Sequence, residues 1–461
     1  MFYLQNRWRL EGSELRFYGM RRPPFLFKNR VKLSPKRTLL ISSLPRDLDA
    51  REIRALGSLV GEQIVGEKDL RWSPKGFDDA VFCRDCCAND YMIPGLEFDG
   101  DGRCPMCASA DKTHDLVAVL PVVESVPRSD TSEYDIALFY TGGKDSTYLL
   151  YYLSKKLGLR VLALTWEIPF MSDSARASIE GAKVAFPDVR FVSRKLEEGE
   201  MRRVYGKLLS IAGNTCACPS LAYVLFYEDL VRLRVPYFAA GNEPAQALGL
   251  YFNRFAPRIA FTFAENKPLN FLLNVGRVLT LRPPLKNGQR QTLMAMKQLA
   301  FGDSPVKRIA GYGDELVSNI VIAINEAESV MEPFRKAVKR SSRTGHIPAF
   351  VHFDLNSVCG GSYDWGKVKK TLVEECGWVP PEDGGKALHT SCRIERCKDY
   401  TQFVRFRDYK SRMIPFSAIE ISLASRNCGR TKEQMIYEMK EVLGFTEDPP
   451  CECALMEEFR E

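Results

Sequence analysis

Three groups of residues in this 461-residue chain have the types and spacing to do chemistry. The first is Thr141-Gly142-Gly143-Lys144-Asp145-Ser146, set between the apolar run Ile136–Tyr140 and the helical pattern that begins at Thr147. Adjacent glycines let a backbone turn tightly and approach an anion closely. The following helix N-terminus adds amide donors and a positive dipole. Lys144 can supply a point charge, Asp145 can orient Mg²⁺ or the loop, and Ser146 can cap the helix or touch a phosphate. The Walker spacing GxxxxGK[ST] is absent, which argues against an ordinary P-loop NTPase.

The second group is Cys83-Arg-Asp-Cys86 followed by Cys104-Pro-Met-Cys107. Two such knuckles can set four thiolates tetrahedrally around Zn²⁺, with Cys86 rather than Cys87 as the ligand by spacing. A closed four-cysteine site is structural. The third group is Cys216-Ala217-Cys218, which opens a helical stretch. Thiols at a helix start have lowered pKa values, so Cys216 and Cys218 can ligate metal, carry sulfur, or simply pack. Cys359, Cys392, Cys397, Cys428, Cys451 and Cys453 could add a third ligand or form a second site, but Cys392-x₄-Cys397 and Cys451-x-Cys453 fit no zinc spacing, and idle packing is the plainer reading.

The loop Thr141–Ser146 resembles the SGGxDS loop of PP-loop (N-type ATP pyrophosphatase) enzymes, with Thr in place of the first Ser. The resemblance implies ATP as substrate, held at Thr141, Gly142, Gly143, Lys144, Asp145 and Ser146 with Mg²⁺. AMP would be transferred to a carbonyl or carboxylate oxygen, and nitrogen or sulfur would displace it. It also implies a second nucleotide or substrate loop at Ala240-Gly241-Asn242-Glu243, where Gly241 and Glu243 are the candidates; a plain strand-ending turn is the other reading. The order of cysteine ribbon and loop, with Gly377-Trp378, Leu388-His389-Thr390-Ser391-Cys392 and Arg430–Gln434 behind them, resembles the N-acetyl sugar amidotransferase family. The Cys216/Cys218 pair is similar instead to the cysteine pair of tRNA thiolases. There such a pair, with a distant third cysteine, holds a [4Fe–4S] cluster, although their spacing is CxxC.

The elements that must position these groups are legible as apolar runs alternating with helical stretches. Ile136–Tyr140, Val161–Trp166, Val189–Val192, Val235–Ala240 and Ile347–His352 read as strands, and 145–157, 173–186 and 218–233 as helices. Such alternation predicts an α/β fold with a doubly wound parallel sheet over residues 130–355. Residues 76–112 form the ribbon, and 356–461 a Cys-rich helical module. Residues 1–75 read as a small basic β module, with a hairpin around Glu11-Gly12 and a strand at Thr38–Ser42.

Composition sets the outer limits. Apolar residues make up 45% and charged residues 27%, as in ordinary globular domains. No run of 18 apolar residues appears, so neither a membrane span nor a membrane partner is expected, and a cytoplasmic location follows. Residues 1–37 carry ten Lys/Arg against two acids, interleaved with aromatics, a mix that suits nucleic acid or merely a basic outer face.

Two chemistries follow. In the first, favoured by the ribbon, loop and tail together, ammonia from a separate glutaminase subunit displaces AMP on a small-molecule or nucleotide-sugar acceptor. In the second, a sulfur donor protein feeds Cys216 and Cys218, or an iron–sulfur cluster, and the acceptor is a tRNA base or small molecule. A non-enzymatic nucleotide-binding scaffold is the third reading. A homo-oligomer is expected.

Overall fold

The computed structural model describes residues 1–460 apart from 27, 71–72, 110–121, 214–217, 254–266, 287, 303–314, 383–387 and 389. The N-terminal segment folds on its own small core of Phe2, Trp8, Leu15, Phe17, Leu40, Ile41 and Leu56. Strands β1 (Trp8–Glu11) and β2 (Glu14–Phe17) pair as the expected hairpin, and β3 (Arg30–Lys32) adds to β2. Thr38–Ser42, however, lies in a helix, Pro35–Ser42, so this segment is mixed rather than wholly β. The helix wins because Ser34 caps the amide of Arg37 and Pro35 sits at the first helical position. Leu40 and Ile41 are then buried while Leu39 stays exposed, as a helix face dictates and a strand does not.

The N-terminal segment is fastened to the rest of the chain by backbone bonds of Met20 with Gly95 and Glu97, by the Arg21–Glu97 pair and by Arg7. The Arg7 guanidinium donates to the carbonyls of Phe406 (2.6 Å) and Arg407 (2.8 Å) and lies 4.0 Å from the Tyr409 ring centre.

At the centre is a parallel sheet of five strands: β4 (Ile136–Phe139), β5 (Val161–Trp166), β6 (Arg190–Arg194), β7 (Tyr237–Ala240) and β8 (Ala349–Phe350). Their order is β8-β7-β4-β5-β6, so the winding reverses beside β4. Both β4 and β5 are buried along their whole length, which is why they read as unbroken apolar runs. Strands β7 and β8 are shorter than their sequence patterns. Pro236 and Pro348 directly precede them and cannot donate to a ladder.

Helix α1 (Lys144–Tyr151) follows β4, α2 (Asp173–Ala185) follows β5, α3 (Glu198–Ala212) follows β6, and α4 (Cys218–Arg232) leads into β7. Helices α5 (Trp365–Cys376), α6 (Glu395–Arg407) and α7 (Phe416–Asn427) belong to the C-terminal part. They are not a separate lobe. Trp365, Leu372, Phe403 and Ile419 share one core with Leu138, Leu149 and the ribbon cysteines. A second core on the other sheet face joins α3 and α4 to Met456 and Phe459. Among the described residues no helix is long and apolar enough to cross a membrane.

Candidate active site

The loop after β4 is shaped by what surrounds it. Gly142 has φ +71°, and a Cβ there would lie 2.4 Å from the carbonyl oxygen of Ala175 in α2, so both conformation and space demand glycine. Gly143 begins α1 with no side chain of its own to cap the helix, whose positive end faces the loop. The hydroxyls of Thr141 and Ser146 stand 3.1 Å apart, and the Gly143 amide donates to Thr141 Oγ1. From the C-terminal part, Trp378 Nε1 donates to the Gly142 carbonyl (3.2 Å), and the Lys144 amide donates to Thr390 Oγ1 (3.3 Å).

The turn after β7 closes onto this loop. A Cβ on Gly241 would come 2.5 Å from both Cα and N of Ser146. Glu243 reaches under the loop: its carboxylate lies 3.2 Å from Lys144 Nζ and accepts from Trp365 Nε1 at 2.9 Å. The Lys144 ammonium also pairs with Asp145 and lies 4.8 Å from each of the Tyr363 and Trp365 ring centres. It is therefore an internal clamp, 3% exposed, rather than a charge held out toward solvent. Asp145 keeps partial exposure and accepts from Tyr363 Oη at 2.6 Å.

Burial raises the Glu243 carboxyl to about 7, against the pull of Lys144 and with the push of Asp145. Burial alone would lower Lys144, but Asp145 and Glu243 more than offset it and hold the ammonium above its ordinary value. Tyr363, Trp365 and Thr390 complete the site from more than 200 positions downstream. Neither Tyr363 nor Trp365 stands in a spacing that sequence reasoning could have flagged. Trp378 lies in the Gly377-Trp378 element already noted.

The third cysteine group is partly in view. Cys216 lies outside the described residues, as does His389. Residues 391–393 pair with the chain after β5: the Ser172 amide donates to the Ser391 carbonyl (3.0 Å), and the Arg393 amide to that of Phe170 (2.8 Å). This brings Cys392 into one cleft with Cys218, alongside Phe170, Tyr205, Glu395 and Lys398. Cys218 Sγ stands 3.9 Å from Tyr205 Oη. The segment that carries Cys392 into the cleft is the one whose Thr390 touches the Thr141–Ser146 loop.

The ribbon cysteines converge. The sulfurs of Cys83, Cys86, Cys104 and Cys107 lie within 4.8 Å of one another and are all buried. A tetrahedral Zn–S₄ centre with bonds of about 2.3 Å needs sulfurs roughly 3.8 Å apart, and Cys86 and Cys104 stand at 3.7 Å. Backbone amides of Asp85, Ala88 and Cys104 point at Cys86 or Cys83 sulfur, the arrangement that stabilises thiolates. The donor set fits zinc. Cys87 turns away and donates to the Lys432 carbonyl, while Lys432 Nζ donates to that of Cys83 (2.7 Å), tying the ribbon to the chain beyond α7.

Fold and site together define an α/β protein whose Gly-Gly loop sits where a parallel sheet reverses its winding. No family model matches the chain, and no curated protein matches it. Among solved structures it is similar to the U34-tRNA thiolase NcsA of Methanococcus maripaludis, determined with its [4Fe–4S] cluster. The likeness is 16% in sequence, spans 63% of this chain and 96% of that one, and has a TM-score of 0.23.

Proposed function

We propose that this chain is an ATP-dependent adenylating enzyme of the PP-loop kind that delivers sulfur to its acceptor. A substrate oxygen attacks the α-phosphorus of ATP and pyrophosphate leaves. Sulfur then bonds to the activated carbon, and AMP departs with the C–O bonding pair. One observation carries the reading: the loop Thr141–Ser146 and the turn Gly241–Glu243 meet at the switch point of the sheet, on the carboxyl ends of β4 and β7. Ligands of open α/β sheets bind in that crevice.

The loop backbone and the start of α1 would receive the phosphates. Asp145 would orient Mg²⁺. Lys144 and Glu243 lock the two loops together so that the donors stay aimed, which is where preorganised electrostatic catalysis gets its strength. Zinc, held by Cys83, Cys86, Cys104 and Cys107, would supply structure rather than chemistry.

Sulfur is the better supported nucleophile. Cys218 and Cys392, far apart in sequence, share one cleft, and the strand-like segment of Cys392 also touches the phosphate loop. These thiols, with Cys216, would carry sulfur or ligate an iron–sulfur cluster; a sulfur donor protein would load them. The nitrogen-transfer reading retains one observation, the bond of Trp378 from the Gly377-Trp378 element to the loop.

The deciding experiment incubates the protein with Mg-ATP and candidate acceptors, with ammonia or a sulfide donor. AMP and pyrophosphate formed with sulfide, and only with Cys218 intact, support the reading. ADP and phosphate as products would sink the adenylation assignment, and turnover with ammonia alone would return the choice to nitrogen.

A further inference from the structure

One helix is packed the wrong way round for a free surface. In Lys267–Leu279 the polar residues Asn270, Asn274 and Arg277, spaced by four and then three, face the protein. Asn274 Nδ2 donates to the Leu285 carbonyl (3.0 Å) and Asn274 Oδ1 accepts from the Leu285 amide (3.0 Å); Arg277 donates to the carbonyls of Pro283 (2.8 Å) and Ser342 (3.0 Å). Those bonds fix the helix with its apolar stripe outward. Phe271 is 67% exposed, Leu272 63%, Val278 56%, Leu279 79% and, just beyond the helix end, Leu281 94%. An unbroken exposed stripe of this size marks a contact surface.

The charge around it selects the occupant. From Asn266 to Gly302 the sequence has no Asp or Glu, yet it carries Lys267, Arg277, Arg282, Lys286, Arg290 and Lys297. Arg282, Lys286 and Lys297 are exposed. Lys297 is pulled below its ordinary value by partial burial and then by Arg282 and Arg277, so these cations share one field. A second copy packed by a two-fold axis would set this cationic patch against itself. A nucleic acid would meet the bases but has no use for protruding leucines. An anionic lipid surface takes both, apolar side chains into the acyl boundary and cations among the headgroups.

We propose that the helix Lys267–Leu279 and the turn through Leu281 form a peripheral docking surface for an anionic bilayer. This differs from the expectation of no membrane partner, which was drawn from the absence of a spanning run. It is independent of the chemistry assigned to the active site.

The test is co-sedimentation of the full-length chain with vesicles of phosphatidylglycerol and phosphatidylcholine, compared with phosphatidylcholine alone. Binding should be at least about tenfold stronger to the anionic vesicles at low salt, and it should fall as salt rises. Leu279→Ser with Leu281→Ser should weaken it by about tenfold or more, since each lost side chain removes several methylenes from the interface. Both positions are exposed, so the variant should melt and turn over ATP like the wild type. Equal binding by the variant, or no binding to anionic vesicles, overturns the proposal. So does a wild-type dimer that the variant converts to monomer by light scattering, or RNA binding that the variant loses while vesicles are ignored.

Discussion

The Lys144 ammonium and the Glu243 carboxylate, 3.2 Å apart and shut away from water, are the point at which two loops from non-adjacent stretches of sequence become one site. The pair sets a pH dependence. Burial raises the Glu243 carboxyl from 4.5 to about 7. A raised carboxyl stabilises the fold fully below its unfolded value, and that contribution is lost as pH climbs through about 7. Ionisation also adds negative charge beneath the phosphate loop. ATP affinity should therefore weaken as pH rises through about 7, and Glu243→Gln should flatten both this profile and the accompanying fall in melting temperature. Calorimetric titration and melting from about pH 5 to about pH 9 check it; an identical slope in wild type and variant would count against the assignment.

Gly241→Ala places a methyl 2.5 Å from the Ser146 backbone, with no flexible side chain to give way. The phosphate loop must shift. ATP should bind at least about tenfold more weakly, a loss of about 1.4 kcal/mol or more, with little change in far-UV circular dichroism. An unchanged Kd would mean that the β7 turn and the loop do not act on one ligand.

Asp145→Ala removes the partly exposed carboxylate and the acceptor of Tyr363. The rate of pyrophosphate release should drop about 10²–10³-fold, the range for losing one preorganised electrostatic contact. Tyr363→Phe, which keeps the carboxylate but loses its hydrogen bond, should cost far less. A Tyr363→Phe loss as large as that of Asp145→Ala would show that orientation, not the charge, is what matters.

For the ribbon, metal analysis should find about one zinc per chain, because sulfurs this close suit a single ion better than a cubane. Cys83→Ser should release it and lower the melting temperature, since metal binding is coupled to local folding. Cys87→Ser should keep the zinc. Iron and sulfide at these four positions would overturn the assignment.

In the cleft, Cys218→Ala and Cys392→Ala should each abolish sulfur transfer while leaving ATP binding intact, because in the proposed function the phosphates would rest on backbone amides elsewhere. Full product formation by either variant would remove it from the chemistry.

Much of this was legible in the sequence, for identifiable reasons. β4 and β5 are buried on both faces and so stand out as apolar runs, and the adjacent glycines of the loop follow from its φ and from Ala175 overhead. The ribbon is visible because metal geometry fixes its spacing. The helix at Pro35–Ser42 was misread because Thr38 and Ile41 favour strands and the run between them is apolar, while the Ser34 cap and Pro35 decide locally for a helix. Lys144 read as a phosphate contact because Gly-Gly-Lys gives no sign of the Tyr363 and Trp365 rings that enclose it. Long-range closure of that kind has no period to detect. Cys392 was one of several candidates for a third thiol, and only the pairing of residues 391–393 with 170–172 distinguishes it.

The closing of Tyr363, Trp365, Trp378 and Thr390 over a loop at residues 141–146 has a consequence for synthesis. A nascent chain emerging from the ribosome has its phosphate loop translated, and β4 and β5 available to pair, more than 200 codons before the loop's roof exists. Until then Lys144 has charge but no aromatic enclosure, and the Gly142 carbonyl has no tryptophan donor. Fragments that stop short of Tyr363 would carry the whole glycine motif without the rings, the tryptophan donor and the Thr390 contact that hold residues 141–146 in this structure.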